Sequence, residues 1–257
     1  MYLTEFQRLV DIMSRLRKEC PWDREQTPET LRQYILEEAY ETVETIDEGN
    51  WAELKKELGD LLLQIVFQAE IAREQERFEL HDVIAHINNK LIERHPHVFG
   101  DTRVRDSGEV KDNWEQIKMK SEKRRSILDG IPAHLPGLLR AQRVQDKASQ
   151  AGFDWDDDRG VIDKIREEIE ELRAAETPAE REEEIGDILF SLVNLCRFQG
   201  INAEDALRRT TTKFISRFQY IEQRLAEREQ RPQDVDLNAL EQLWQEAKLR
   251  TDSNSDD

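Results

Sequence analysis

The sequence has little of what a membrane protein, a disulfide-stabilised domain or a sheet-rich fold requires. No apolar run approaches the roughly 18–20 residues that span a bilayer, so no membrane partner is expected. The two cysteines, Cys20 and Cys196, lie one in each half, which argues against a disulfide framework and predicts a cytoplasmic protein. Glycine and proline are absent from long stretches such as residues 61–95, and strand-like alternation is scarce. We therefore predict an almost entirely helical chain.

Positive charge is also in deficit, because the formal net charge of the chain is −18. A strongly acidic surface repels a phosphate backbone, so nucleic acid is not expected as a ligand. A small phosphorylated substrate is still compatible with this charge. Its site would need a metal ion and a few nearby lysine or arginine residues to reverse the local potential.

What the chain does have is a carboxylate pattern that occurs twice. The sequence EEAYE at 37–41 is followed by ELGD at 57–60, and EEIEE at 167–171 is followed by EIGD at 184–187. Helical residues three or four apart share one face, so each copy offers two pairs of acids on successive helices. These pairs are Glu38/Glu41 with Glu57/Asp60 in the first half and Glu168/Glu171 with Glu184/Asp187 in the second.

Four carboxylates that converge between helices would repel one another unless a cation lay among them. Carboxylates and water are the ligands of Mg²⁺, with Mn²⁺ as the alternative metal. A solvated charged face is the ordinary explanation for acids on helices. It is weakened here by the repetition and by the position of Glu57, which falls roughly 40° around the helix from the apolar Leu61.

Other metal and phosphate sites fit the sequence poorly. A ferritin-like di-iron site needs Glu-x-x-His pairs, and none of the five histidines has a glutamate three residues before it. Zinc is disfavoured because the second half has no histidine after His134. No G-x-x-x-x-G-K-[ST] run occurs, so a P-loop cannot hold the phosphates.

The repeat extends beyond the acids and defines the organisation of the chain. Asn50 and Thr177 are predicted to cap the two Glu-x-x-Asp helices, each seven residues before the first acid. The basic pair Lys90/Arg94 recurs as Lys213/Arg217, and Trp114 recurs as Trp244. We therefore predict two duplicated helical domains at 1–120 and 136–250, a linker at 121–135 and a disordered tail at 251–257.

These motifs resemble those of the MazG family, all-α nucleoside triphosphate pyrophosphohydrolases, in the two-domain bacterial form. The resemblance covers nearly the whole chain. It includes CPWD at 20–23, RHPHVF at 94–99, GFDW at 152–155 and the acidic pairs of both halves. It implies an all-α fold of tandem four-helix-bundle domains, and Mg²⁺-dependent hydrolysis of nucleoside triphosphates between the α and β phosphates. It also implies a homodimer.

The resemblance assigns roles to individual residues, and we expect the second half to be the catalytic one. The implied metal ligands and catalytic acids are Glu168, Glu171, Glu184 and Asp187, and the implied nucleotide contacts add Glu167, Glu183, Lys164, Lys213, Arg217 and Trp244. The equivalents in the first half, a possible second site, are Glu38, Glu41, Glu57, Asp60, Lys90, Arg94 and Trp114. One departure is the pair Glu180 and Arg181, where the family pattern leads us to expect a lysine for phosphate.

Two other functions are compatible with the same residues. The chain could be a narrower pyrophosphatase that acts on dUTP or noncanonical nucleotides. It could also be a non-catalytic helical adaptor whose acids only solvate its surface.

Overall fold

The computed structural model describes residues 2–106, 108–110, 117 and 125–253. Across these residues the chain forms helices and turns and no strand, which confirms the predicted all-α class. The chain divides into two compact units, Met1–Lys118 and Met119–Asp257, as a tandem duplication requires. None of the described helices is both long enough and apolar enough to cross a membrane.

Across its described residues, unit 1 contains helices that pack around one apolar core. They are α1 (Tyr2–Glu19), α2 (Pro21–Glu25), α3 (Arg32–Asp47), α4 (Trp51–Glu74), α5 (Leu80–Arg94) and α6 (Pro96–Phe99). Helix α3 packs along α4, and α1 also contacts α4. The buried core consists of Met13, Leu31, Val66, Phe67 and Ile71.

Unit 2 repeats the pairing of the two acid-bearing helices. Its helices are α7 (Gly137–Gln150), α8 (Asp158–Ala174), α9 (Pro178–Phe198), α10 (Ala203–Ala226) and α11 (Leu237–Ser253), with a 3₁₀ turn at Pro232–Asp234. Helices α8 and α9 pack closely, α7 contacts α9 and α10, and α10 pairs with α11. Helix α11 extends three residues into the segment that was predicted as a tail. Trp114 and part of the predicted linker lie outside the described residues.

The two predicted caps form and set where the acids lie. The Asn50 side chain accepts a hydrogen bond from the Glu53 backbone N–H at 3.2 Å. Thr177 accepts from the Glu180 N–H at 3.2 Å, and the Glu180 carboxylate accepts in return from the Thr177 N–H at 3.0 Å. Each cap satisfies N–H groups that the first turn of a helix leaves unpaired. The helix register, and with it the face that carries the acids, follows from where each cap starts the helix.

A buried arginine joins α1 to the rest of unit 1. Arg17 is only 8% exposed, and its guanidinium lies 2.5 Å from the Glu74 carboxylate at the end of α4. It also donates to the Asp23 and Gln26 carbonyl oxygens beside α2. One side chain therefore connects α1, α2 and α4, and its removal would take hydrogen bonds from one carboxylate and two carbonyl oxygens.

We expect Arg17→Met to lower the free energy of unfolding of unit 1 by about 3 kcal/mol, because one partner of a largely buried ion pair is lost. Chemical denaturation followed by circular dichroism measures this change. The matched control is Arg15→Met, which removes a solvent-exposed pair with Glu19 on the same helix and should cost less than about 1 kcal/mol. Equal losses in the two variants would contradict the assignment.

Candidate metal centres

In unit 2, three of the predicted acids converge between α8 and α9. Carboxylate oxygens of Glu168 and Glu171 on α8 and of Glu184 on α9 all lie within 4.8 Å of one another. The short connection after α8 ends at the Thr177 cap and Pro178, which turns α9 back along α8. Glu168 is only 4% exposed, so it does not belong to a solvated face. Asp187, one turn beyond Glu184, lines the same cavity as Glu168.

A lysine on the same helix reaches two of these acids. The Lys164 ammonium lies 2.7 Å from a Glu168 oxygen and 2.7 Å from a Glu167 oxygen. Its hydrogen bond holds the pKa of the Glu168 carboxyl below the ordinary value. The predicted cation Lys164 is therefore part of the acid cluster.

Glu171 and Glu184 are destabilised in their charged form. A hydrogen bond to ionised Glu168, followed by burial, raises the pKa of Glu171. Burial, followed by the charges of Glu168 and Asp187, raises the pKa of Glu184. One lysine therefore does not neutralise the cluster. Closely spaced oxygen donors with excess negative charge suit a hard divalent cation.

Unit 1 forms a similar cluster without that lysine. Carboxylate oxygens of Glu38, Glu41 and Glu57 lie within 4.8 Å of one another. Burial, then the charge of Asp60, raises the pKa of Glu38, opposite to the shift at Glu168. Four residues before Glu38 the chain has Tyr34, which packs against the core of unit 1. Both clusters offer an oxygen ligand set that could hold a metal ion, in two different electrostatic settings.

The acid cluster of unit 2 opens onto a cavity of about 700 Å³, within the range of small-molecule sites. Lys164, Glu168 and Asp187 form part of its wall. The rest of its lining is mainly apolar and aromatic, with a few polar side chains, and includes Val144, Gln145, Phe153, Trp155, Phe190, Asn194 and Arg197. We refer to this space as the unit 2 cavity.

Sequence reasoning identified Lys164, Glu168 and Asp187 but missed the rest of the cavity lining. Phe153 and Trp155 entered it only as part of the GFDW motif, with no role attached. A signal was present in Asn194 and Arg197, which lie seven and ten residues after Asp187. The residue seven positions after Asp60 is Phe67, which belongs to the apolar core of unit 1. A comparison of the two repeats at this position could have identified the polar wall.

The other predicted nucleotide contacts of unit 2 form a separate group on α10 and α11. The Arg217 guanidinium lies over the Trp244 ring, 5.7 Å from its centre. The Trp244 ring lies 5.2 Å from that of Phe214 and packs against the core of Ile221, Leu225 and Leu243. Lys213 is exposed on α10. The unit 2 cavity is lined by none of Lys213, Arg217 and Trp244.

The other residues predicted for the two sites lie outside the acid clusters or at their edges. Glu183 is exposed beside Glu184, and its charge contributes to the raised pKa of that residue. Glu180 serves the helix cap, and Arg181 donates to the Ala175 carbonyl oxygen at the end of α8, at 3.4 Å. In unit 1, Lys90 is half-buried and Arg94 is buried at the end of α5.

Comparison with known proteins gives consistent matches. The family described as the MazG nucleotide pyrophosphohydrolase domain matches residues 26–99 and 159–221, one segment in each unit. The nucleoside triphosphate pyrophosphohydrolase/pyrophosphatase MazG of Thermotoga maritima is 47% identical over 95% of both chains. The nucleoside triphosphate pyrophosphohydrolase of Escherichia coli K12 is 44% identical over 96% of this chain and 98% of that protein. The crystal structure of a mazG-related protein from Thermotoga maritima covers 44% of this chain and 97% of its own, at 27% identity and a TM-score of 0.39.

We expect Glu184→Gln to raise the melting temperature of the metal-free protein at neutral pH. The pKa of Glu184 in the folded protein is raised above its ordinary value of 4.5, so the folded state binds this proton more tightly than the unfolded state does. The free energy of unfolding therefore falls as the pH rises from 4.5 to the raised pKa, and at neutral pH the carboxylate destabilises the fold. A neutral amide removes this penalty. The same variant should lose much of the stabilisation that Mg²⁺ gives the wild type, which is about 2.7 kcal/mol at a hundredfold excess over Kd.

Thermal unfolding with a chelator and with MgCl₂ measures both effects. The control is Glu182→Gln, which neutralises an exposed acid on the same helix and should change neither quantity. If the melting temperature of the wild type did not change with MgCl₂, the result would argue against a metal site at these acids.

Proposed function

The chain belongs to the MazG nucleotide pyrophosphohydrolase family, and we propose that it hydrolyses nucleoside triphosphates to monophosphates and pyrophosphate with Mg²⁺. We place this reaction in unit 2. The observation that supports this choice is the meeting of three features in one place. An acid cluster, the cation of Lys164 and the unit 2 cavity lie together there.

We assign the metal to Glu168, Glu171, Glu184 and Asp187. The first three bring carboxylate oxygens within 4.8 Å of one another, and Asp187 lines the cavity wall with Glu168. Mg²⁺ bound there would neutralise phosphate oxygens and lower the pKa of a water molecule, the nucleophile of the hydrolysis. Cleavage between the α and β phosphates then leaves the monophosphate and pyrophosphate as products.

Lys164 and Glu183 lie beside the metal ligands, and we assign each of them a separate role in the reaction. Lys164 holds Glu167 and Glu168 at 2.7 Å, which keeps Glu168 ionised and fixes its orientation. Because Glu167 is engaged by this lysine, we assign the acceptance of the water's proton to Glu183, which is exposed next to Glu184. The lysine also supplies positive charge at the part of the cavity wall that Glu168 and Asp187 form.

Unit 1 is proposed to bind metal without turning over substrate. It has the acid cluster but carries Tyr34 in place of the lysine. Tyr34, Leu63 and Phe67 pack in its core, whereas Lys164, Phe190 and Asn194 at the equivalent positions line the unit 2 cavity. Among the described residues, the apolar filling of unit 1 therefore replaces the counterparts of Lys164 and of the polar cavity wall with core packing.

We propose that the chain forms a homodimer through the apolar stripes on its acid-bearing helices, one on α4 and one on α9. Leu58 and Ile65 on α4 and Ile185 and Leu189 on α9 are exposed in a single chain. These residues recur at helical spacing, and contiguous apolar surface of this kind marks an interface. A second copy of the chain would bury the exposed apolar side chains of each stripe.

A reducing, cytoplasmic location is proposed from the cysteines. Cys20 and Cys196 are both free thiols, and one lies in each unit. An oxidising compartment would expose them to disulfide exchange, which the fold does not use.

Glu171→Ala and Asp187→Ala should each reduce pyrophosphate release by more than about 100-fold, since losing even an outer partner of a metal ligand costs 10–100-fold. The matched variants in unit 1 are Glu41→Ala and Asp60→Ala, which should retain most of the activity. The assay measures pyrophosphate release from ribo- and deoxyribonucleoside triphosphates, including dUTP, with MgCl₂. Loss of activity in Asp60→Ala with full activity in Asp187→Ala would reverse the assignment of the two units.

The variant Ile65→Glu should convert the dimer to a monomer of 30.4 kDa, because a charge would be buried in an apolar interface. Light scattering coupled to size-exclusion chromatography measures the mass. Tyr2→Glu is the control, since Tyr2 is more exposed than Ile65 and lies outside the stripe. A wild-type chain that elutes as a monomer would refute the proposed assembly.

A further inference from the structure

We propose that Lys147 is a positioning residue of the reaction, whose buried ammonium group fixes residues 125–131 as part of the wall of the unit 2 cavity. We call residues 125–131 the strap. This inference rests on the proposed function, because it concerns how tightly the triphosphate binds. It goes beyond that function by giving a role to a segment that lies within the predicted linker. Both Lys147 and the strap lie outside residues 26–99 and 159–221, which the family matches.

The first observation is a lysine buried on α7. Lys147 is only 5% exposed, and its Nζ donates to the carbonyl oxygens of Ile127 at 2.7 Å and Asp129 at 3.3 Å. An ammonium group that leaves water loses its hydration, and its hydrogen bonds in the protein must offset that loss. The ammonium group therefore fixes the strap to α7, and an apolar side chain at this position would take these hydrogen bonds from both carbonyl groups.

The second observation is that the strap is a compact turn. The Asp129 carboxylate accepts from the backbone N–H groups of Arg125 at 2.8 Å and Ser126 at 2.9 Å, and the Asp129 N–H donates back to the Ser126 carbonyl oxygen at 3.1 Å. Gly130 follows with a φ of +78°, a left-handed conformation that glycine adopts without strain. Because these bonds close the turn, a contact that fixes two of its carbonyl groups also positions Leu128 between them.

The third observation is that Leu128 forms part of the cavity wall. It lines the unit 2 cavity together with Gln145 and Ala148 of α7, and it is 42% exposed, so its side chain is accessible to a ligand. Gln145 Nε2 donates to the Phe190 carbonyl oxygen of α9 at 2.8 Å. Two neighbouring polar side chains of α7 therefore join this wall together, since Gln145 binds α9 and Lys147 binds the strap.

The same cavity includes Lys164, Glu168 and Asp187 in its wall. A triphosphate bound at these acids would occupy the space that the strap bounds, and the position of Leu128 would set how much apolar surface it covers. Lys147 is not among the described residues that line the cavity, so it would act through Leu128 and not by contact with the substrate. Loss of such a contact weakens the binding of substrate and transition state alike, which raises KM and leaves kcat unchanged.

The test measures pyrophosphate release by variants of the full chain with MgCl₂. Leu128→Ala and Lys147→Met should each raise KM about tenfold and change kcat less than about twofold, because a pocket loses part of one apolar contact. Lys147→Arg, which keeps donors for the two carbonyl groups, should keep KM within about threefold of the wild type. Arg143→Met, which removes an exposed cation one turn earlier on α7, is the matched control and should change neither constant.

Hydrogen exchange of the full chain, followed by mass spectrometry, separates the anchor from the wall. Peptides that cover the strap should exchange about fivefold faster in Lys147→Met than in the wild type, because the turn opens more often once its anchor is lost. Leu128→Ala should leave exchange in the strap unchanged. Peptides from α8 and α9 should exchange at the wild-type rate in both variants.

The outcomes distinguish positioning from a general structural role. A wild-type KM in folded Lys147→Met would overturn the inference, as would faster exchange throughout α8 and α9 in this variant. If Lys147→Met did not fold, a wild-type KM in Leu128→Ala would overturn the inference by itself. Failure of the wild type to release pyrophosphate from any triphosphate would instead contradict the proposed function. In that case exchange of the strap at the wild-type rate in Lys147→Met would still refute the anchor, since this measurement does not depend on activity.

Discussion

Both units must fold against a repulsion between carboxylates that their own helices bring together. In each unit, three glutamates from two adjacent helices place oxygens within 4.8 Å of one another. The raised pKa values of Glu38, Glu57, Glu171 and Glu184 are the sign of this repulsion, to which burial contributes. The packing of α3 on α4 and of α8 on α9 must therefore supply enough stability to hold the acids in place. A cation bound among these carboxylates would neutralise their repulsion, and the cluster would then stabilise the fold instead of destabilising it.

The two units differ in the residue that lies one helical turn before the first glutamate of the cluster. Lys164 is four residues before Glu168, and Tyr34 is four residues before Glu38. The lysine lowers the pKa of Glu168, whereas burial and the charges of neighbouring acids raise the pKa of Glu38 in unit 1. The tyrosine instead adds to the core, 6.2 Å from the ring of Trp22. At this position unit 2 has a charged side chain in the wall of its cavity, whereas unit 1 has a tyrosine that packs in its core.

Much of the acid cluster could be predicted because it depends on local rules. Helical periodicity placed Glu168 with Glu171, and the Thr177 cap set the register of Glu184. The cavity could not be predicted in this way. Phe153 and Trp155 precede α8 in an irregular segment, and no periodicity states where such side chains point. The association of Trp244 with the acids came from family resemblance alone. In a single chain its position is set by the pairing of α10 with α11, a contact that spacing within one helix does not reveal.

The glycines inside the two Glu-x-Gly-Asp motifs have no explanation within one chain. Gly59 and Gly186 each lie inside a helix, where glycine costs about 1 kcal/mol relative to alanine. No atom that the structure describes comes within 4 Å of where a Cβ would lie at either position, the helix's own neighbouring backbone aside. Both glycines lie one residue after an exposed apolar side chain, Leu58 or Ile185. The proposed homodimer would account for a missing side chain at both positions, because a second copy packed on this surface would come close to the helix there. Such packing would lie next to the acids and would link the proposed assembly to the candidate metal sites.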